Sequence, residues 1–303
     1  MINRILVPLD GSELAETALP YAKQLALGLN AEVRVLRVLD ASRAAGLLPG
    51  IAKPADEKTA ARAAEEYLAR IKAYFSGLRS NVVTEHTSGV PEVEIIAEAD
   101  DKPGTLTVMS THGRSGAMRW LVGSVAAKVV QFGSGPVLLV RPAARSPLAG
   151  DPAFRHMLIA LDGSARAEQV FLEAGPLATA LELDVFLIRA TPGLAEYARW
   201  SSGEVVMPDY ATLMEDVDRD AEQYLNKIAA DFKSRYQVAV RTLRVHGDAA
   251  QAILDAAQAE GTLVAMTTHG RTGFARALLG SVADRVVRHG TTPVLLVRSA
   301  PTA

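Results

Sequence analysis

"STHGRSGAMRWLVGSVAAKVVQFGSGPVLLVR" occupies positions 110–141, and "TTHGRTGFARALLGSVADRVVRHGTTPVLLVR" occupies positions 267–298. The two stretches match at 20 of 32 positions without a gap, at an offset of 157. Each reads as a strand end, a glycine-studded loop, a helix from about Ser124 or Ser281, and a final strand. The start of the chain repeats as well. "RILVPLDGSELAE" from Arg4 corresponds to "HMLIALDGSARAE" from His156, at an offset of 152. The extra residues fall in the middle, where the halves differ most. A period of roughly 155 residues is far longer than a solenoid repeat. It describes a duplicated domain, with boundaries predicted at 1–143 and 154–303. Residues 144–153 form the predicted linker, inside a stretch rich in Pro, Ala and Gly from Pro142 to Phe154.

Working outward, "RILVPL" is a short apolar run that stops at Asp10-Gly11, so a buried strand and a turn. "SELAETALPYAKQLALGL" carries Leu14, Ala18, Tyr21 and Leu25 at helical spacing, with Ser12 as N-cap and Gly28 near the end. "EVRVLRVL" is the second strand. Ala64, Leu68, Ile71 and Phe75 mark one face of the next helix. Val217, Ala221, Tyr224, Ile228 and Phe232 do so in the second half. "NVVTEHT" is a third strand, "PEVEIIAEAD" a short helix, "TLTVMS" a fourth strand, and "PVLLVR" the fifth. Strands alternating with helices imply a doubly wound α/β fold with a five-stranded parallel sheet in each half.

At 303 residues the chain is long enough for two domains, each with its own core. A net charge of −2 with no basic stripe gives a nucleic-acid partner no support. The absence of cysteine excludes disulfides, thiol catalysis and cysteine-ligated zinc. Pro8 and Asp10 come too early for a signal peptide, and no apolar run reaches the ~18 residues of a membrane span. The location expected by default is cytoplasmic.

In open α/β sheets ligands sit at the carboxyl ends of the strands, where the strand order reverses. Three segments of each half end there: the turn at Asp10 or Asp162, the end of strand two at Val38 or Ala190, and the loop after strand four. In that loop Gly113 and Gly116 allow close backbone approach. Gly123-Ser124 and Gly280-Ser281 open a helix whose N–H groups and dipole suit a phosphate. Ser124 and Ser281 have a plainer reading as N-caps, the glycines as turn formers, and Asp10 as part of an Asp-Gly-Ser cap.

The whole chain resembles two universal stress protein domains in tandem. The resemblance is carried by "VPLDGSELAETAL", "VRVLRVLD" and "MSTHGRSGAMRWLVGSVAAKVV...PVLLVR", and by their second-half counterparts. Members that bind ATP use a loop written Gly-x-x-Gly, nine residues, Gly-Ser/Thr. Here Gly113 is followed after nine residues by Gly123-Ser124, and Gly270 by Gly280-Ser281. The first glycine of that pattern is replaced by Ser110 and Thr267, small hydroxyl residues that either crowd a ligand or donate to it. The resemblance implies a Rossmann-like sheet of the adenine nucleotide alpha-hydrolase type and an ATP site in each half, with Mg²⁺. Asp10 and Asp162 would lie by the ribose, and the backbones of Val38 and Ala190 by the adenine. Met109, Ser110, His112 and Gly113 would border the phosphates, with Gly123, Ser124 and Val125 opposite. In the second half these are Met266, Thr267, His269 and Gly270, with Gly280, Ser281 and Val282.

The implied function is an ATP-binding stress-response or regulatory protein with little or no hydrolysis. Two alternatives stand beside it: an enzyme of the related ATP-pyrophosphatase type, or a scaffold that has lost its nucleotide. "LDGSELA" and "LDGSARA" lack the Ser-Gly-Gly-x-Asp-Ser loop of that enzyme type, and no Walker sequence is present. His112 and His269 precede a serine in both halves, but no triad is fixed by sequence. His86, His156, His246 and His289 have no metal-ligand spacing. Arg114, Arg119, Arg271 and Arg276 read as solvated helix-face residues or phosphate contacts. The last strands, at Val137–Val140 and Val294–Val297, are predicted sheet edges. Single-domain members commonly dimerise there, so the two halves are expected to form a pseudo-two-fold dimer within the chain. A homodimer of chains is a further possibility.

Overall fold

The segment "RILVP" forms β1 (Arg4–Pro8), and every one of its residues is buried. A strand covered on both faces belongs at the centre of a parallel sheet. β1 pairs in parallel with β2 (Glu32–Asp40) on one side and β4 (Thr105–Ser110) on the other. β3 (Val82–Gly89) adds outside β2, and β5 (Val137–Val140) outside β4. The order is β3-β2-β1-β4-β5. The second half repeats it with β6 (His156–Leu161), β7 (Asp184–Thr191), β8 (Val240–His246), β9 (Thr262–Thr267) and β10 (Val294–Val297), in the order β8-β7-β6-β9-β10. Its pairs are parallel too.

These elements come from a computed structural model that describes residues 1–40, 57–111, 122–141, 154–191, 210–269 and 279–299. The chain divides into two compact units, Met1–Ala153 and Phe154–Ala303. In the first unit the helices are α1 (Glu13–Glu16), α2 (Leu19–Leu29), α3 (Glu57–Tyr74), α4 (Pro91–Asp101) and α5 (Ser124–Phe132). In the second they are α6 (Ala165–Glu168), α7 (Phe171–Ala180), α8 (Tyr210–Tyr236), α9 (Ala249–Ala256) and α10 (Ser281–His289). Right-handed crossovers place α2 and α3 on one face and α4 and α5 on the other. The side chains agree. Lys23 Nζ on α2 donates to the Tyr74 carbonyl on α3, at 3.3 Å, and Lys128 on α5 pairs with Glu92 on α4. The chain changes direction across the sheet between β1 and β4, which makes their carboxyl ends the switch point.

The spacing rule located the helix cores well. Ala64, Leu68, Ile71 and Phe75 are buried, as are Ala221, Ile228 and Phe232, while Val217 and Tyr224 are half-buried. Each fully buried large side chain contributes about 1.5–3 kcal/mol. The helix predicted after Ser12 is interrupted. Thr17 N–H and Ala18 N–H reach back three residues, to Leu14 and Ala15, which tightens the turn between α1 and α2. Pro20 is not the cause. Gln169 and Val170 make the same short bonds in the second half, where Leu172 stands at the position of Pro20.

At the amino end of the first sheet Arg4 is buried. Its Nε donates to Thr105 Oγ1 at 2.8 Å, its NH1 pairs with Glu98 at 3.0 Å, and its NH2 donates to the Glu98 carbonyl. Each of the three guanidinium nitrogens has a partner and Glu98 supplies the opposite charge, so its burial carries no bare charge.

Candidate functional site

β1 ends and the chain must turn sharply to enter α1. Gly11 does this at φ 84°, and Gly163 at φ 85°, a conformation that only glycine adopts without strain. The turn aims an aspartate back over the helix start. Asp10 Oδ1 accepts from the Ser12 N–H at 2.9 Å and from Ser12 Oγ at 2.6 Å. Ser12 in turn caps α1, its Oγ accepting from the Ala15 N–H at 3.2 Å. Asp162, Ser164 and Ala167 reproduce the three distances: 2.9, 2.6 and 3.2 Å. The N-cap read at Ser12 is therefore present. One oxygen of each aspartate is spent on orientation.

β2 runs past the end of β1. Its register with β1 closes at Pro8 opposite Leu36, two residues before Val38. The Val38 backbone thus stands above the end of β1, still paired with Thr87 of β3. In the second half the register of β6 with β7 closes at Leu161 opposite Arg189, next to Ala190.

β4 delivers Met109 and Ser110 to the same end, both buried, as Met266 and Thr267 are on β9. The glycine loop is pinned at its base. Gly123 N–H donates to the Thr111 carbonyl at 2.7 Å, and Thr111 N–H to the Val140 carbonyl at 2.8 Å. Gly280, Thr268 and Val297 repeat this at 2.8 and 2.9 Å. His112, Gly113, Gly116, Arg114 and Arg119, with Gly270, Arg271 and Arg276, lie outside the described residues.

The helix starts correct one reading. Ser124 and Ser281 are not N-caps: Gly123 and Gly280 hold that position, and neither α5 nor α10 has a side-chain cap. The serines are first helical residues and are exposed, with Val125 and Val282 half-buried behind them. A glycine cap leaves the first-turn N–H groups facing outward, the arrangement that favours an anion. The first turn of α5 has no acidic residue. α10 has Asp284, but Arg288 Nε donates to both its oxygens, at 2.8 and 2.7 Å. The hydroxyl of Thr267 is committed: it donates to the His269 carbonyl at 3.0 Å. The His269 Nδ1 lies 3.2 Å from Thr268 Oγ1.

Arg37, Tyr67, Arg189 and Glu168, not singled out from sequence, border this end with Tyr224, which the spacing marked only as a helix-face residue. Arg37 lies over the Tyr67 ring at 4.7 Å, and Arg189 over the Tyr224 ring at 4.9 Å. Tyr224 donates to Glu168 Oε1 at 3.0 Å. Burial first, and then the neighbouring Glu16 carboxylate, push the Tyr67 phenol up, although the hydroxyl does not reach the close contact that Tyr224 makes with Glu168. Burial and Glu168 raise Tyr224 in the same way. The signal was in the repeat. Glu16 and Arg37 recur at the offset of 152, and Tyr67 at 157.

A cavity of about 280 Å³ lies elsewhere, between β2, β3 and α4, lined by Glu85, Glu94, Glu98 and Asp101. Four carboxylates make it unsuitable for a phosphate. Among the described residues, no group of three His, Asp or Glu is placed to hold a metal ion. No helix among them is long and apolar enough to cross a membrane.

Comparison with known proteins gives this geometry its context. The sequence profile of the universal stress protein family matches residues 1–141 and again 153–298. The chain belongs to the universal stress protein family. A universal stress protein of Methanocaldococcus jannaschii is 32% identical over 141 residues, 46% of this chain and 83% of that protein. One from Mycobacterium tuberculosis is 31% identical over 212 residues, 69% of this chain and 65% of that protein. The chain thus spans just under two thirds of the mycobacterial relative. Among solved structures, a universal stress protein from Archaeoglobus fulgidus has a TM-score of 0.67 at 22% identity, over 98% of this chain and 99% of that one. A Pseudomonas aeruginosa chain has a TM-score of 0.66 at 18% identity, over 98% and 94%. At these identities the likeness establishes the α/β fold.

Proposed function

We propose that this universal stress protein is a cytoplasmic regulatory protein that binds ATP in each half and hydrolyses it slowly or not at all. The observation that carries the reading is a glycine-capped helix start, pinned to the end of the fourth strand, at the switch point of both sheets. The uncapped first turn suits phosphates, the strand-two backbone suits the adenine edge, and Asp10 or Asp162 suits the ribose hydroxyls. Met109, Ser110, His112, Gly113, Gly123, Ser124 and Val125 would surround the phosphates, as would their counterparts from Met266 to Val282. Mg²⁺ would be held mainly by the phosphates, as this ion usually is.

Titration calorimetry tests the reading. Two ATP per chain are expected, and none in Gly113→Val with Gly270→Val, since the resemblance puts both glycines beside the phosphates and a larger side chain there would exclude them. No heat with ATP, ADP or AMP refutes it. A second reading, that the second half has lost its nucleotide, is favoured by the Thr267 hydroxyl, which is spent on the His269 carbonyl. One ATP per chain, abolished by Gly113→Val alone, would establish that reading.

The same proposal includes a linker at 144–153 between domains 1–143 and 154–303. Within its own unit, β5 pairs with β4 and β10 with β9.

A further inference from the structure

We propose that Tyr224 with Arg189 and Glu168, and Tyr67 with Arg37 and Glu16, are positioning residues that hold the Asp162 and Asp10 carboxylates in place to accept from a ribose diol. The inference rests on the nucleotide reading above and names groups that would act behind the site.

α1 and α6 are four residues long. A single turn does not sustain itself in water, so its orientation is set by tertiary contacts. In the second half the contact is explicit. Arg189 reaches from β7 across the ring of Tyr224 on α8, which fixes the ring plane. The phenol then donates to Glu168 at 3.0 Å, across 56 residues of sequence. Glu168 ends α6, and its N–H donates to the Ser164 carbonyl. Ser164 holds Asp162 Oδ1 by both its N–H and its hydroxyl. Each link in this line, from β7 through α8 and α6 to the end of β6, is a directional contact.

The first half keeps the same three residue types with one addition. Arg70 NH2 donates to Glu16 Oε1 at 3.2 Å, and the Arg70 guanidinium lies 5.2 Å from the Tyr67 ring centre. Lys227 stands at the position of Arg70 in the second half. The hydrogen bond on Glu16 thus comes from Arg70, with the Tyr67 phenol close by, whereas Tyr224 is the partner that the described hydrogen bonds give Glu168. The phenol matters more in the second half than in the first.

The experiment measures the affinities for ATP and 2′-deoxy-ATP and takes their ratio. Gly113→Val isolates the second site and Gly270→Val the first. In the second site Tyr224→Phe is expected to weaken ATP binding by about tenfold, the worth of one hydrogen bond to a charged group. The preference for the ribo form should fall towards unity. Tyr67→Phe should change the first site by less than half as much on a logarithmic scale. A packing defect alone would weaken both nucleotides equally and leave the ratio intact, so an unchanged ratio in Tyr224→Phe overturns the proposal. If the unsubstituted sites bind ATP without preferring the ribo form, the proposal fails and the nucleotide reading stands. If they bind neither nucleotide, both fail.

Discussion

Asp10 and Asp162 show how a few atoms decide the local chain path. Each depends on a glycine at positive φ one residue later. An L-residue in that region costs about 1–2 kcal/mol, so Gly163→Ala should lower the unfolding free energy by roughly that amount in urea titrations. A neutral result would mean that the turn relaxes at no cost. Asp248 behaves differently. It caps α9 by accepting from the Gln251 N–H at 2.8 Å, and Arg285 NH1 pairs with it at 2.5 Å. The backbone bond first, and Arg285 second, hold its carboxyl below the usual value. A depressed carboxylate pKa adds stability above the unfolded value, and that stability is lost as pH falls through the folded one. Asp248→Ala should cost about 1 kcal/mol at neutral pH. The cost should shrink below roughly pH 4, where the unfolded carboxyl protonates. Denaturation at pH 7 and pH 3 checks it, and an equal cost at both would reject the assignment.

Among the elements, α7 and α8 give a case where propensity and packing oppose each other. Gly175 lies inside α7, where replacement by Ala would ordinarily gain about 1 kcal/mol. A Cβ there would meet the Tyr236 ring at 2.2 Å. That ring is held by its hydroxyl, which donates to the Phe171 carbonyl at 2.9 Å, and by Phe232 at 4.6 Å between centroids. The ring has to move and give up those contacts. Gly175→Ala is therefore expected to lower the melting temperature, and a rise would show that Tyr236 swings out freely. α4 and α5 illustrate duplication with drift. Lys128 pairs with Glu92, and Arg285 with Asp248, so each half ties its two helices together from slightly different positions.

For the molecule as a whole, one consequence follows from the proposed function. In that reading the site's groups would hold phosphates, and the sequence marks no residue that would activate water. Turnover should fall far below the ~1–1000 s⁻¹ of dedicated enzymes. A rate in that range, lost on His112→Ala or His269→Ala, would reverse the proposal. The expectation from the sequence that Val137–Val140 and Val294–Val297 meet edge to edge is tested by the separation of Leu138 and Leu295 in an experimental structure. Paired strands lie about 5 Å apart, and a shifted register adds about 3.4 Å per residue, so a separation above roughly 15 Å refutes it.

The repeat, the strand cores, the helix faces and the turn at Asp10 were legible in the order of residues alone. Those features are written in apolar periodicity and in glycine placement, which act over a few residues. The sequence left open whether Ser124 was a cap, because Gly and Ser are both acceptable at a helix start. The backbone resolved it for Gly123, whose N–H is drawn to Thr111. Only the tertiary structure brought Arg189, Tyr224 and Glu168 together, because nothing local links residues on three separate elements. The repeat marked all three as shared between the halves. Their meeting depended on the parallel sheet, which sets β7, α8 and α6 side by side at one end of the fold.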